Sequence, residues 1–435
     1  MPDMHLSRYI KIWPDQDHPD RFLLYSTARG ASVLVTATLL AAIEDGTIAP
    51  ADRDSLVRLG ILVPDTHAER RQMRDVFAGV NRQRRRFSAQ VVLNMDCNLA
   101  CTYCYEGGMK GKHYMSRETA ELLADSIERD HIARGKGIDL TYYGGEPLMS
   151  IDLIASLSQR LMAATAARET VYSFTLVTNG TLLTAETVDQ LLPLGLAGAK
   201  VTLDGPREIH DRFRPFVSGK GTFDHIVGNI KAVCDMTKVQ VGGNYTQENY
   251  RVFPRLLDHL LDEGLTPERI ALVKFDPVMK SGGRQILPEF NEGCASTDEP
   301  WLMEAGLYLR EEIMKRGFHT PRVAPAPCMI EALDDLVVNY DGTLYKCPAF
   351  LGWPEMAVGS LATGIGDYAI SHNLDVWKKD ECLDCAYLPL CFGGCRFLKL
   401  LRDGRIDDVD CRKEFLDETL EALVRQDLRY RPKRT

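Results

Sequence analysis

Between Ser88 and about Met279 the chain alternates strand-like and helical stretches six times over. The strand-like runs are SAQVVLNMD, IDLTYYGG, VYSFTLVTNG, AKVTLDG, KVQVGGNYT and RIALVKFDPV, separated by helical segments such as SRETAELLADSIERDHIARG and VFPRLLDHLLDEG. Ser116 suits the N-cap of the first of these helices, with Glu118 and Glu121 near its positive end. Repeated βα units bury a sheet beneath helices, so the pattern predicts an α/β domain built on a parallel sheet, either doubly wound or a barrel short of some strands. In both architectures ligands gather where strands end and loops begin. Every chemically suggestive cluster falls at such a place: three cysteines after the first strand, GGEP after the second, TNG after the third, DGP after the fourth and GGNYT after the fifth.

The flanks read differently. Residues 1–66 hold two β-like runs, SRYIKIW and FLLYSTA, then helical stretches around TLLAAIEDG and DRDSLVRLGIL, which predicts a small α+β unit of winged-helix type. A basic connector follows over 67–87; it reads as a solvated helical linker, with contact to a polyanion or an acidic peptide as the alternative. The central domain is set at 88–285. Residues 286–435 bridge into a cysteine-rich, loop-rich tail that closes on a helix, RKEFLDETLEALVRQDL. A small region with so little periodicity needs metal or covalent staples.

Composition narrows the function classes. With 52 basic against 61 acidic residues the formal charge is −9, which gives no basic field to attract nucleic acid. The N-terminal MPDMHLSRYIKIWPDQDHPD carries charge throughout and lacks the apolar core of a secretion signal, so a cytoplasmic protein is expected. The longest uncharged apolar run, ASVLVTATLLAAI, is too short to span a bilayer, and no membrane partner is expected. In a reducing compartment twelve cysteines do not form a disulfide framework; they are buried thiols, catalysts or metal ligands. Cys234, in an apparent helix, reads as a buried structural thiol.

Cys97, Cys101 and Cys104 form a C-x3-C-x2-C triplet within VVLNMDCNLACTYCYEGGMKG. Three thiolates bind three corners of a [4Fe–4S] cube and leave one iron open, whereas an ordinary electron-transfer cluster uses four cysteines. Zinc is the competing reading, but no fourth cysteine or histidine lies at finger spacing, His113 being poorly placed. The triplet on a loop after a strand resembles the signature of the radical S-adenosylmethionine (SAM) superfamily over the whole central domain, and the resemblance implies a partial (β/α)6 TIM-like barrel. It implies that Cys97, Cys101 and Cys104 hold a [4Fe–4S] cluster whose open iron chelates SAM, cleaved reductively to a 5′-deoxyadenosyl radical. YYGGEP resembles the family's glycine-rich segment, so Gly144, Gly145, Glu146 and Pro147 are expected at the SAM ammonium, with the Glu146 carboxylate as acceptor. Tyr103 matches the aromatic position near adenine. Thr178, Asn179 and Thr202 resemble strand-end contacts to ribose and carboxylate, Arg214 in HDRFRP is the expected partner of the SAM carboxylate, and Asn244 or Tyr245 is expected at the adenosine. Turn chemistry is the competing account of Asn179-Gly180 and Asp204-Gly205.

The tail cysteines Cys328, Cys347, Cys382, Cys385, Cys391, Cys395 and Cys411, with Gly342 in DGTLYKC, match the order of the SPASM extension of radical SAM enzymes that modify peptides and proteins. The resemblance implies two auxiliary [4Fe–4S] clusters: Cys382, Cys385, Cys391 and Cys411 around one, and Cys328, Cys347 and Cys395 around the other. The fourth ligand of the latter is left open, to a substrate thiolate or to Cys294. In members that oxidise sulfatases an aspartate follows the second tail cysteine; here Pro348 stands there, which counts against sulfatase maturation. The N-terminal segments LSRYIKIW, LLYSTARG and LGILVPD resemble maturases of ribosomally made peptides of the geopeptide type, where a leader strand adds to a sheet edge. This implies a cysteine-containing precursor peptide bound through its leader, an electron donor such as flavodoxin or ferredoxin, and thioether crosslinks as product. A formylglycine-forming sulfatase maturase, another radical crosslinking or epimerising enzyme, and a non-catalytic metal-binding scaffold are the alternatives.

Overall fold

A computed structural model describes residues 4–279, 293–294 and 299–430. The chain divides into two compact units: 1–83 with 322–332 and 373–435, and 84–321 with 333–372. The domain boundary read at 285/286 lies outside the described residues.

In the first unit, the short strands β1 (His5–Leu6) and β5 (Leu62–Val63) pair antiparallel, and β2 (Ile10–Pro14), β3 (Arg21–Ser26) and β4 (Ala31–Thr36) form an antiparallel meander in that order. The apolar run ASVLVTATLLAAI is divided between two elements. Ala31–Thr36 is strand, and Thr36 then caps the helix Ala37–Glu44 by accepting from the Leu39 N–H at 3.2 Å. The sheet is apolar on both faces because both are covered. Leu24 and Val35 pack with Ile43, Leu56 and Ile61, while Leu23 and Tyr25 pack with Leu416, Leu420 and Val424 of the C-terminal helix Lys413–Tyr430. The basic connector is helical over Thr66–Arg74 and Val76–Gln83. Its Arg70 is paired with Asp384 at 2.9 Å and with Asp380 at 2.5 Å.

The second unit carries the expected parallel sheet. Strands β6 (Arg86–Asn94), β7 (Gly137–Gly144), β8 (Tyr172–Thr178), β9 (Leu196–Thr202), β10 (Val239–Tyr245) and β11 (Ile270–Pro277) lie side by side in chain order, all parallel. Ser116 caps the helix Arg117–Asp130, accepting from the Thr119 N–H at 3.1 Å. Beyond β6 the sheet continues with β12 (Asp335–Val338), parallel to it, and then the antiparallel β13 (Thr343–Tyr345), β14 (Gly359–Ser360) and β15 (Gly364–Ile365).

Parallel sheets are ordinarily buried on both faces and read as continuous apolar runs. Here β7 and β8 alternate. Ile138, Leu140 and Tyr142 lie buried on one face with Phe174 and Leu176, while Asp139, Thr141, Ser173 and Thr175 are half-buried on the other, where the Thr141 and Thr175 hydroxyls meet at 3.1 Å. One face of the sheet is thus polar at β7 and β8. Among the described residues no helix is long and apolar enough to cross a membrane.

Candidate active site and tail cysteine cluster

The chain leaves β6 at Asn94 and enters the loop carrying Cys97, Cys101 and Cys104, which is pinned on three sides. Asp96 accepts the Cys97 N–H at 3.0 Å. Ala100 N–H and Thr102 N–H donate to the Pro215 and Phe213 carbonyls at 2.9 and 3.0 Å, and Lys110 Nζ reaches the Leu99 carbonyl at 2.9 Å. From the end of β7, Gly145 N–H donates to the Asn94 carbonyl at 3.0 Å and Glu146 N–H to the Asp96 carbonyl at 2.9 Å. This approach requires glycine. Gly144 has φ +132°, and a Cβ on Gly145 would stand 2.7 Å from the Asp96 carbonyl carbon.

Glu146, fully buried, gathers the next strand end. Its carboxylate accepts the Leu148 N–H at 3.0 Å, the Thr178 hydroxyl at 2.8 Å and the Asn179 N–H at 2.8 Å. A carboxylate has about four acceptor sites, so about one remains. Burial raises its pKa, and these three donors oppose the shift. Asn179 Nδ2 in turn donates to Asn98 Oδ1 at 2.8 Å and comes within 3.8 Å of Cys97 Sγ. The triplet, GGEP and TNG are therefore one hydrogen-bonded assembly at the C-terminal ends of β6, β7 and β8.

A second knot joins the loop to β9 and β10. The Tyr103 hydroxyl donates to the Asp204 carboxylate and accepts from Arg214 Nη1 at 2.8 Å and Asn244 Nδ2 at 3.0 Å. Asn244 N–H donates to Asp204 at 2.7 Å, and Arg214 Nη1 stands 3.9 Å from the same carboxylate. Sequence reading passed over Asp204 as a turn residue. Its 0% exposure, unusual for an aspartate beside a glycine, shows only in the fold. Thr202 ends β9 half-buried, and Pro147 opens the short turn Pro147–Ser150. Tyr245 points elsewhere, into an aromatic cluster with Phe253 and Trp301.

The electrostatics suit an anionic centre. Burial raises the Cys97 thiol and pushes Cys104 up to about 12, with Lys110 opposing both shifts. Burial works against the Arg214 charge, yet Cys101, Tyr103 and Asp204 hold its pKa well above the ordinary range. Burial also pushes Glu106 up to about 7 against the pull of Lys110. Ligation requires thiolates, and the two cations beside the triplet favour them. Arg214 Nε and Glu106 Oε1 are buried without a hydrogen-bond partner among the described residues, leaving polar capacity for a bound group. Among the described residues no three histidine, cysteine or acidic side chains converge tightly enough to hold a single ion. A four-iron cube sets its ligands farther apart than one ion does.

In the tail, Cys382, Cys385, Cys391 and Cys411 each lie within electrostatic reach of others in the group, as Cys395 does of Cys328. Burial raises Cys382 and Cys395 and pushes Cys391 up to about 11. All six belong to the first unit, whereas Cys347 follows β13 in the second. Cys294 is fully buried, its thiol 3.1 Å from Met279 Sδ, and Cys234 closes the helix Phe223–Val233 as a buried thiol.

Residues 91–247 match the Radical SAM superfamily. Over this segment the chain is similar to radical SAM proteins. The wider chain is 34% identical over 235 residues to the Fe-coproporphyrin III synthase of Methanosarcina barkeri, a match covering 52% of this chain and 53% of that protein. It is 25% identical over 343 residues to the serine-type anaerobic sulfatase-maturating enzyme of Bacteroides thetaiotaomicron, covering 69% of this chain and 80% of that one. Among solved structures, anSMEcpe with bound AdoMet and the Cp18Cys peptide superposes with a TM-score of 0.61 at 16% identity, covering 79% of this chain and 97% of that chain. SuiB of Streptococcus suis superposes with a TM-score of 0.53 at 16% identity, covering 93% and 98%. By fold the chain is thus similar to anSMEcpe and SuiB, with a large parallel sheet, small N-terminal sheets and a cysteine-rich tail.

Proposed function

We propose that this chain is a radical SAM peptide maturase that forms thioether crosslinks in a ribosomally made precursor. The observation that carries the reading is the assembly of the triplet, GGEP and TNG at the ends of β6, β7 and β8 in a chain that also holds seven tail cysteines. Cys97, Cys101 and Cys104 would hold a [4Fe–4S] cluster, and Gly144–Pro147, Thr178, Asn179, Thr202, Tyr103, Arg214 and Asn244 would frame SAM around it. When bound, the pair supplies a 5′-deoxyadenosyl radical that removes a hydrogen from a substrate carbon. The chain's own part is positional. Glu146 ties the GGEP backbone to Thr178 and Asn179, and Asp204 holds Tyr103, Arg214 and Asn244 in one orientation. The tail cysteines would hold two auxiliary clusters, which would supply a one-electron acceptor near the crosslinking site. A small reductant such as flavodoxin or ferredoxin would supply the initiating electron.

The N-terminal sheet suits leader capture. Its faces are packed, so pairing is possible only at an edge, and β4 is an edge strand whose Leu34 is exposed. SuiB has been solved bound to its precursor peptide SuiA, and this chain shares its fold over most of its length. Sulfatase maturation is the second reading, favoured by the sulfatase-maturating relative and opposed by Pro348 after Cys347.

The test is anaerobic incubation of reconstituted, reduced enzyme with SAM and small cysteine-containing peptides translated from the reading frames beside its gene. The expected result is 5′-deoxyadenosine together with the loss of two hydrogens per thioether. SAM cleavage without that mass change, alongside formylglycine in a sulfatase peptide, would overturn the crosslinking assignment in favour of the second reading.

A further inference from the structure

The segment CFGGC, Cys391 to Cys395, turns through three consecutive left-handed residues: Phe392 at φ +40°, Gly393 at +81° and Gly394 at +77°. Glycine accepts that region freely but phenylalanine does not, so something must hold the turn. Its carbonyls show what does. Arg396 Nη1 donates to the Phe392 carbonyl at 2.9 Å and the Gly394 carbonyl at 3.1 Å, and the Asp410 N–H donates to the Gly393 carbonyl at 2.9 Å. Gly394 also lies so close to Asp410 that a Cβ would stand 2.8 Å from its carbonyl carbon.

Arg396 is 1% exposed and its other Nη donates to the Glu331 carboxylate, itself 3% exposed at the side chain. Glu331 closes the short turn that begins one residue after Cys328 and also accepts the Asp375 N–H at 3.3 Å. On the far side, Asp410 accepts the Cys395 N–H at 3.3 Å and Arg402 Nη1 at 2.7 Å, and it directly precedes Cys411. Two buried carboxylates thus stitch together the backbone at Cys328, Cys395 and Cys411 through one left-handed turn. A buried ion pair contributes little net stability, because desolvation consumes most of the Coulomb gain; its use here is geometric.

We propose that Arg396, anchored by Glu331, is the positioning residue that sets the direction of the Cys391 and Cys395 thiols for auxiliary cluster binding. The inference rests on the reading of the tail cysteines as cluster ligands. Groups one shell outside a metal ligand, when removed, typically cost about 10–100-fold in affinity or activity.

The test uses the full chain carrying Cys97→Ala, Cys101→Ala and Cys104→Ala, so that only tail iron is counted. In this background Arg396→Met should lose about four to eight irons per chain, one or both of the clusters that Cys391 and Cys395 serve, and change the electron paramagnetic resonance line shape of any iron that remains. Arg396→Lys keeps the charge but not the planar fork, and should recover part of the iron. With the triplet intact, Arg396→Met should still cleave SAM, while product per 5′-deoxyadenosine falls about 10–100-fold. Full iron content and an unaltered spectrum in Arg396→Met would overturn the proposal. Should that variant fail to fold, the Arg396→Met/Glu331→Met pair leaves no buried charge unpaired, and a full complement of iron in it would overturn the proposal equally. An iron-free parent would instead sink the cluster reading itself, and with it the role assigned to Arg396.

Discussion

Replacing Gly145 by alanine tests how tightly β7 is laced to the cysteine loop. The added Cβ would stand 2.7 Å from the Asp96 carbonyl carbon and 3.0 Å from that of Met95, closer still to the Asp96 oxygen. Ordinary carbon contacts are about 3.5–4.0 Å, so the two backbones must part by about 1 Å. No rotamer relieves the clash, since every atom struck is backbone. Overpacking of this kind costs about 1–3 kcal/mol. The two lacing hydrogen bonds, Gly145 N–H to Asn94 and Glu146 N–H to Asp96, stretch with it, each worth about 0.5–1.5 kcal/mol. Gly145→Ala should therefore destabilise the parallel-sheet domain by about 2–6 kcal/mol. Asp96 immediately precedes Cys97, so the displacement passes to the first thiol of the triplet. A misplacement of about 1 Å costs on the order of 100-fold in rate. Denaturant unfolding of the iron-free chain measures the first effect, and 5′-deoxyadenosine release by the reconstituted enzyme the second. A variant that releases 5′-deoxyadenosine at the parent rate and unfolds within about 0.5 kcal/mol of the parent would refute the reasoning.

Glu146→Gln should cost about 1–3 kcal/mol, because the new amide sets a donor against the N–H of Asn179 or Leu148 at a fully buried position; an unchanged unfolding midpoint would show those contacts to be dispensable. Cys101→Ala should abolish SAM cleavage, whereas Cys411→Ala should retain it and lose product, so cleavage surviving the first change removes the triplet from the chemistry. Burial, aided by Lys136 and opposed by Asp334, depresses the pKa of His131, which stacks on Phe87, to about 4. The unfolded chain then binds the proton first, and stability present above pH of about 6.5 is lost on acidification toward about 4, with a slope of at most about 1.4 kcal/mol per pH unit. His131→Gln should flatten that slope, and a slope identical in both proteins would exclude His131 as its source.

The six parallel strands were legible because each is a local run bounded by turn residues, and their ends carry the motifs. The observed strands fall within about three residues of the runs read from sequence. Ser116 as N-cap was legible for the same reason, since capping is settled within four residues. Asp204 was not legible. Its partners Tyr103 and Asn244 lie 101 and 40 residues away, and a lone Asp-Gly pair carries no sign that it will be buried. The strand Ala31–Thr36 was hidden in an apolar run whose second half becomes helix once Thr36 caps it. Arg70 read as a solvated linker charge because its partners Asp380 and Asp384 follow more than 300 residues later.

By itself the sequence determined the alternation of strands and helices and the grouping of thiols at the first strand end, because both follow from patterns closed within a few residues. Tertiary structure alone decided that β3 shares its core with the helix Lys413–Tyr430, that β12 extends the sheet beside β6, and that Glu331 meets Arg396. These are pairings across 65 to nearly 400 residues. They are selected by which apolar faces and buried charges remain unsatisfied once the local elements exist, and no local pattern records that remainder.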